Sequence, residues 1–149
     1  MFQDLLSNHV LWISLIAWGL AQFLKPFLEY LETRRWVWGL WFSSGGMPSS
    51  HSALIVSAMV AIGLFEGFNT PLFALAVAMA MIVVYDAAGV RREAGKHAER
   101  INLLIEEFLA GHPISEQELK EVIGHTPGEV IAGVVLGILC ALIGFGIWG

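Results

Sequence analysis

Of the 149 residues, 56% are hydrophobic and 14% charged, so the length suits one domain and the charge deficit excludes an ordinary soluble one. The formal net charge of −5 comes without a basic stripe, which excludes a protein that tracks a nucleic-acid backbone. A single cysteine, Cys140, excludes disulfides and thiolate metal sites, and in the last apolar run it reads as a small buried apolar residue.

Residues 5–24, 36–65, 67–85 and 130–149 contain no Asp, Glu, Lys or Arg. Each reaches about the ~20 helical residues that cross a ~30 Å hydrocarbon core. The expected fold is all-α, a polytopic membrane helical bundle of about four transmembrane helices in a single domain over residues 1–149. The first helix runs from about Leu6 to about Leu31, its membrane part ending near Lys25. The opening "MFQDLLSNHV" has an acid, no basic leader and no small-residue cleavage site after it, so this helix is expected to be retained. In "RRWVWGLWFSSGG" that follows, Trp36, Trp38 and Trp41 fit an interfacial aromatic belt. The second helix starts around Ser49–His51 and ends near Glu66. After the short turn "EGFNTP", Pro71 opens the third helix, which runs to about Tyr85 and "DAAG". The fourth begins near Pro127 and continues to the last residues. No internal repeat is visible.

Between the third and fourth helices lies a polar segment, residues 86–129. Ala94, Ala98, Ile101, Ile105 and Phe108 recur there at helical spacing with charges opposite, which predicts a helix on the membrane surface or against the bundle. Ser115 and Glu118 then form a capping box for a second short helix, which Gly124 can end. His9 and His112 read as interfacial or solvated, and His97 as structural.

Every Lys and Arg falls between the first two helices or between the last two, while the opposite side has only Asp4 and Glu66. The positive-inside rule then puts both basic connections in the cytoplasm and both termini outside. With four crossings, one face gathers Lys25, Arg34, Arg35, Ser49, Ser50, His51, Asp86, Arg91, Arg92, Lys120, His125 and Glu129. That gathering, not any single residue, points to a site.

Two stretches on this face carry chemistry. In "GGMPSSH" a serine caps a helix whose first-turn N–H groups and dipole can receive an anion, and two glycines let a ligand come close. His51 at that mouth can give or take a proton. An ordinary N-cap with a surface histidine explains the motif equally well. In "GHTPGEV", His125 and Glu129 are four apart, so a helical turn can pair imidazole with carboxylate and leave one ring nitrogen as nucleophile. Thr126, Pro127 and Glu129 equally make a capping box with proline at the first helical position, and the two roles can coexist.

"PSSHSA" resembles the second signature of the type-2 phosphatidic acid phosphatase and vanadium-dependent haloperoxidase superfamily, usually PSGHxxA. "GHTPGEVIAGVVLG" resembles the end of its third. With "VYDAAGVRREAG" between them, nearly the whole chain is similar to the divergent branch of that superfamily. The resemblance implies a phosphatase acting on a phospholipid or isoprenoid-lipid phosphate or diphosphate, with His125 the nucleophile that forms a phosphohistidine. It implies Glu129 as the carboxylate that orients His125, and His51 as the acid that protonates the leaving alkoxide. Cations and helix-end amides would hold the phosphoryl oxygens, and the scheme requires no metal or other cofactor.

The chain departs from the pattern mainly at the cations. Lys25 is followed by eight residues, not six, before Arg34, and Arg35 stands where a proline is usual. Leu119 occupies the third signature's arginine position, with Lys120 one residue later, and Ser50 replaces the usual glycine. Arg91 and Arg92 are candidates to supply the missing charge, with Asp86 to orient one of them; cytoplasmic anchoring is their other reading. Lipid phosphatases of the superfamily commonly have six membrane helices, so four leave an open side that a homodimer would close. The expected location is the bacterial plasma membrane, with the site facing the cytoplasm. Two rivals stand beside this reading. One is a metal-dependent hydrolase using His51, Asp86, His125 and Glu129, whose spacing matches no standard zinc pattern. The other is a non-catalytic protein that keeps an anion or lipid pocket.

Overall fold

The computed structural model describes residues 2–43, 45–89, 97, 100–102, 105, 108 and 126–149, and all regular structure among them is helical. The first apolar run folds as two helices, α1 (Phe2–Leu6) and α2 (His9–Thr33), where a single helix from about Leu6 is expected. Asn8 causes the break: its side chain accepts a hydrogen bond from the Leu11 N–H at 3.0 Å, which makes it the N-cap of α2. A short 3-10 turn, Trp38–Phe42, follows. Helices α3 (Ser50–Glu66), α4 (Pro71–Ala88) and α5 (Pro127–Trp148) begin where the sequence predicts, the first behind Ser49, the second with Pro71 at its start behind the cap Thr70, and the third behind Thr126. Helix α4 continues one turn past Tyr85, whose carbonyl accepts the Gly89 N–H at 2.9 Å.

Helices α2, α4 and α5 are long and apolar enough to cross a membrane. Helix α3 is apolar but has 17 residues. That is roughly 25 Å at 1.5 Å per residue, a little short of a ~30 Å core. It sits at the centre and packs against α2, α4 and α5.

The interior is built from small side chains. Ala17, Ala21, Ala53, Ala61, Ala80 and Ala141 are buried, whereas Ile16, Leu75, Met81, Ile82, Ile131 and Ile143 are exposed. Lipid is as apolar as leucine, so helices associate where small residues let their backbones approach. The closest approach is between α3 and α5. A Cβ on Gly133 would collide with the Ser49 carbonyl, and one on Gly137 would stand 2.8 Å from the Ala53 carbonyl.

At the other end of the bundle the His9 ring stacks on Phe65 and on Trp148, with centroids 5.7 and 5.3 Å apart. His9, half-buried at the start of α2, is thus part of the packing that joins α2 to the ends of α3 and α5, which fits the interfacial rather than the solvated of its two expected places. The exposed rings Trp36, Trp38 and Trp41 of the Trp-rich connection and the half-buried Tyr30 of α2 meet in succession at 4.6 to 5.3 Å. This is the arrangement an interfacial belt requires. In the polar segment Ile101, Ile105 and Phe108 are helical and exposed, which suits the surface-lying alternative. Ala94, Ala98, His112, Ser115, Glu118 and Gly124 lie outside the described residues.

Candidate functional site

The sequence places a serine before an apolar run, and Ser49 caps α3 accordingly. Its hydroxyl accepts from the Ser52 N–H at 3.4 Å and from the Ser52 hydroxyl at 3.1 Å. The Met47–Pro48 bond ahead of it is cis. Ser49, Ser50 and Ser52 are all buried. His51, in the first turn of α3, is half-buried and its Nδ1 is shielded from solvent.

Glu129 makes the capping box that "TPGE" predicts. The Thr126 N–H donates to its Oε2 at 3.3 Å, and its own N–H donates to the Thr126 hydroxyl at 3.4 Å. Its backbone does something the motif does not reveal. The Glu129 carbonyl accepts the Ser49 N–H at 2.9 Å, so the first turn of α5 is bonded to the cap of α3. Gly133, one turn further, makes that possible by leaving room for the Ser49 carbonyl. The Gly133–Gly137 spacing is the signal that sequence reading passed over, since small residues four apart mark a close helix contact.

Lys25 reaches this place from α2. It is only 1% exposed, and its Nζ donates to the Ser43 carbonyl at 2.8 Å. Its stem passes Gly46, which adopts φ +87° beside it, a left-handed conformation that suits glycine. Gln22, one turn earlier on the same face of α2, was not singled out by sequence, yet its amide donates to the Trp41 carbonyl at 2.9 Å. No motif marks it; only its spacing of three from Lys25 hints at a shared face.

Beside these groups lies a cleft of about 360 Å³ lined by Leu28, Glu29, Leu31, Glu32, Gly46, Met47 and Glu129. Its lining mixes apolar side chains with three carboxylates, and Leu28, Glu29, Leu31 and Glu32 all come from α2. Of the other expected cations, Arg34 ends α2 at φ 59°, and both it and Arg35 are exposed. Arg34 stands nine residues, about 13 Å along a helix, beyond Lys25. Neither is brought to the buried cluster. Asp86 lies in the last turn of α4, which returns to this end after the tight connection from α3, and is half-buried. Arg91, Arg92, Lys120 and His125 lie outside the described residues. Among the described residues no three of His, Cys, Asp or Glu are grouped to hold a metal, so His51, Asp86 and Glu129 do not make such a set.

The arrangement joins two helix mouths, with a buried ammonium behind them and a partly apolar cleft in front. The ammonium and the helix mouth can hold an anionic group and the cleft's leucines can meet a hydrocarbon chain, whereas the cleft's carboxylates oppose an anion there. A family model described as the Divergent PAP2 family matches residues 6–140. An uncharacterized membrane protein of Bacillus subtilis (strain 168), YuiD, is 38% identical over 151 aligned residues, covering 94% of this chain and 96% of that protein. No solved structure matches significantly.

Proposed function

Since the chain belongs to the divergent PAP2 family, we propose that this integral membrane protein is a phosphatase of lipid-linked phosphates or diphosphates. A His125 ring nitrogen attacks phosphorus, an N–P bond forms, and the P–O bond to the lipid breaks. His51 donates the proton that the departing oxygen needs, releasing the lipid alcohol or, from a diphosphate, the lipid monophosphate. Water then attacks the phosphohistidine, His51 takes its proton, and inorganic phosphate leaves. A carboxylate has two oxygens, so Glu129 can cap α5 with one and orient His125 with the other.

The observation that carries this reading is the 2.9 Å bond from the Ser49 N–H to the Glu129 carbonyl. It fastens the helix mouth that bears His51 to the helix that begins just after His125. In this scheme Lys25, Ser49, Ser50 and the first turn of α3 hold the phosphoryl oxygens. Arg91, Arg92 and Lys120 complete the charge in this scheme, with Asp86 in support, and Arg34 and Arg35 serve the headgroup layer. Kinship with the vanadium-dependent haloperoxidases, which the motifs resemble, belongs to the same reading. So does a bacterial plasma membrane with the site facing the cytoplasm.

Purified protein is expected to release phosphate from one or more lipid phosphates or diphosphates, with or without chelator, and to lose this in His125→Ala and His51→Ala. Full activity in both variants would overturn the assignment, and loss of activity on chelation would favour a metal-dependent hydrolase. A second reading, a non-catalytic anion or lipid binder, is favoured by the altered cation positions, with Arg34 exposed and far from Lys25. Saturable lipid phosphate binding without turnover would select it.

A further inference from the structure

Lys25 and Gln22 grip the connection before α3 in a way the proposed chemistry has not used. The ammonium of Lys25 and the amide of Gln22 converge on one acceptor, the Ser43 carbonyl, at 2.8 and 3.4 Å. The Gln22 amide also holds the Trp41 carbonyl at 2.9 Å. Ser43 is six residues ahead of Ser49, so these bonds set where the chain enters the α3 mouth. The residue after Lys25 is Pro26, buried within α2, which has no N–H to offer the Gln22 carbonyl. The helix is therefore weakened at the turn that bears both gripping side chains.

An ammonium committed to the half-buried Ser43 carbonyl turns more readily toward an anion if that carbonyl keeps another donor, because a desolvated acceptor left without one is unfavourable. We infer that Gln22 is a positioning residue: it holds the Trp41 and Ser43 carbonyls, so Lys25 can turn from Ser43 toward a phosphoryl oxygen while the connection stays docked. The inference rests on the proposed phosphatase reading for the identity of the anion. Nothing in the motifs names Gln22, and it touches no substrate in this scheme.

The test compares wild type, Gln22→Leu and Gln22→Glu in detergent or vesicles, each checked for an unchanged elution volume. Turnover of a lipid phosphate is measured alongside titration with inorganic phosphate, followed by tryptophan emission, since Trp41 is one of the groups held. Gln22→Leu is expected to raise KM about tenfold, the scale of one or two net hydrogen bonds, with kcat changed little, and to weaken the phosphate titration equally. Gln22→Glu, which sets a carboxylate beside Lys25, is expected to weaken both further. Wild-type KM and titration in Gln22→Leu would overturn the inference, as would a loss confined to kcat. If wild type binds phosphate without turnover and Gln22→Leu weakens that binding, the phosphatase reading fails and the role of Gln22 stands. If wild type shows neither binding nor turnover, both fall. Should Gln22→Leu not fold, Gln22→Glu decides alone, because wild-type behaviour in it contradicts the role.

Discussion

A lysine 1% exposed inside a helical bundle is costly, because a desolvated ammonium loses several kcal/mol of hydration unless its N–H groups are used. A residue kept at such cost for packing alone could be replaced by an apolar side chain of like size with no loss beyond stability. Lys25→Met is therefore expected to keep or raise the thermal midpoint in detergent while phosphate release falls at least about tenfold. Unchanged release with a lowered midpoint would make Lys25 a structural clamp only. Ser49 separates its two roles differently. Ser49→Ala removes the cap hydroxyl but keeps the backbone N–H bonded to Glu129, so it should cost about 1 kcal/mol by thermal or chemical denaturation. Both caps, Ser49 and Thr126 with Glu129, were legible, because capping depends on residues within one turn. The burial of Lys25 was not, since the same lysine at a helix end would equally reach to the interface.

Helix α5 shows why glycine position matters more than apolar content in such a bundle. Gly133 and Gly137 face the α3 backbone, whereas Gly146 on the same helix has nothing within 4 Å. Gly133→Ala is expected to lose about 1–3 kcal/mol through overpacking, and to lose activity by parting Ser49 from Glu129. Gly146→Ala should be neutral in both; equal effects at the two positions would contradict the packing. At the far end, His9 ties α2 to Phe65 and Trp148 by its flat ring. His9→Ala should lower stability by about 1 kcal/mol, with His9→Phe recovering most of it, because ring stacking and not charge is what the site uses. Helix starts were readable to a residue at α3, α4 and α5. The division of the first run was missed because Asn8 was passed over as a cap inside an apolar stretch.

Across the whole molecule, antiparallel connections bring the mouth of α3, the mouth of α5 and the end of α4 to one side, with His9 on the other. In the proposed orientation, drawn from the charge asymmetry, Arg35→Cys is expected to react with an impermeant thiol reagent only from the cytoplasmic side and Asp4→Cys only from outside, in a Cys140→Ala background. The reverse pattern would invert the topology and leave the chemistry as proposed. On α4, Leu72, Leu75, Met79 and Ile82 are exposed, as are large apolar side chains of α2 and α5. We propose that a homodimer closes the face at α4, and the molar mass of the detergent-solubilised protein checks it.

Charge-free apolar runs determine helices by themselves, because hydrocarbon leaves a backbone no partner but its own next turn. From sequence alone, therefore, came the all-helical membrane class, the capped starts and the end of the bundle at which the motifs meet. Tertiary structure alone decided which faces touch: Gly133 on Ser49, Gln22 and Lys25 on the 41–43 carbonyls, and His9 between two rings. The reason is the solvent. In water an apolar stripe marks the inner face of a helix, but in lipid both faces are apolar, and the rotation of each helix is set by small residues and a few polar bonds whose partners lie far along the chain.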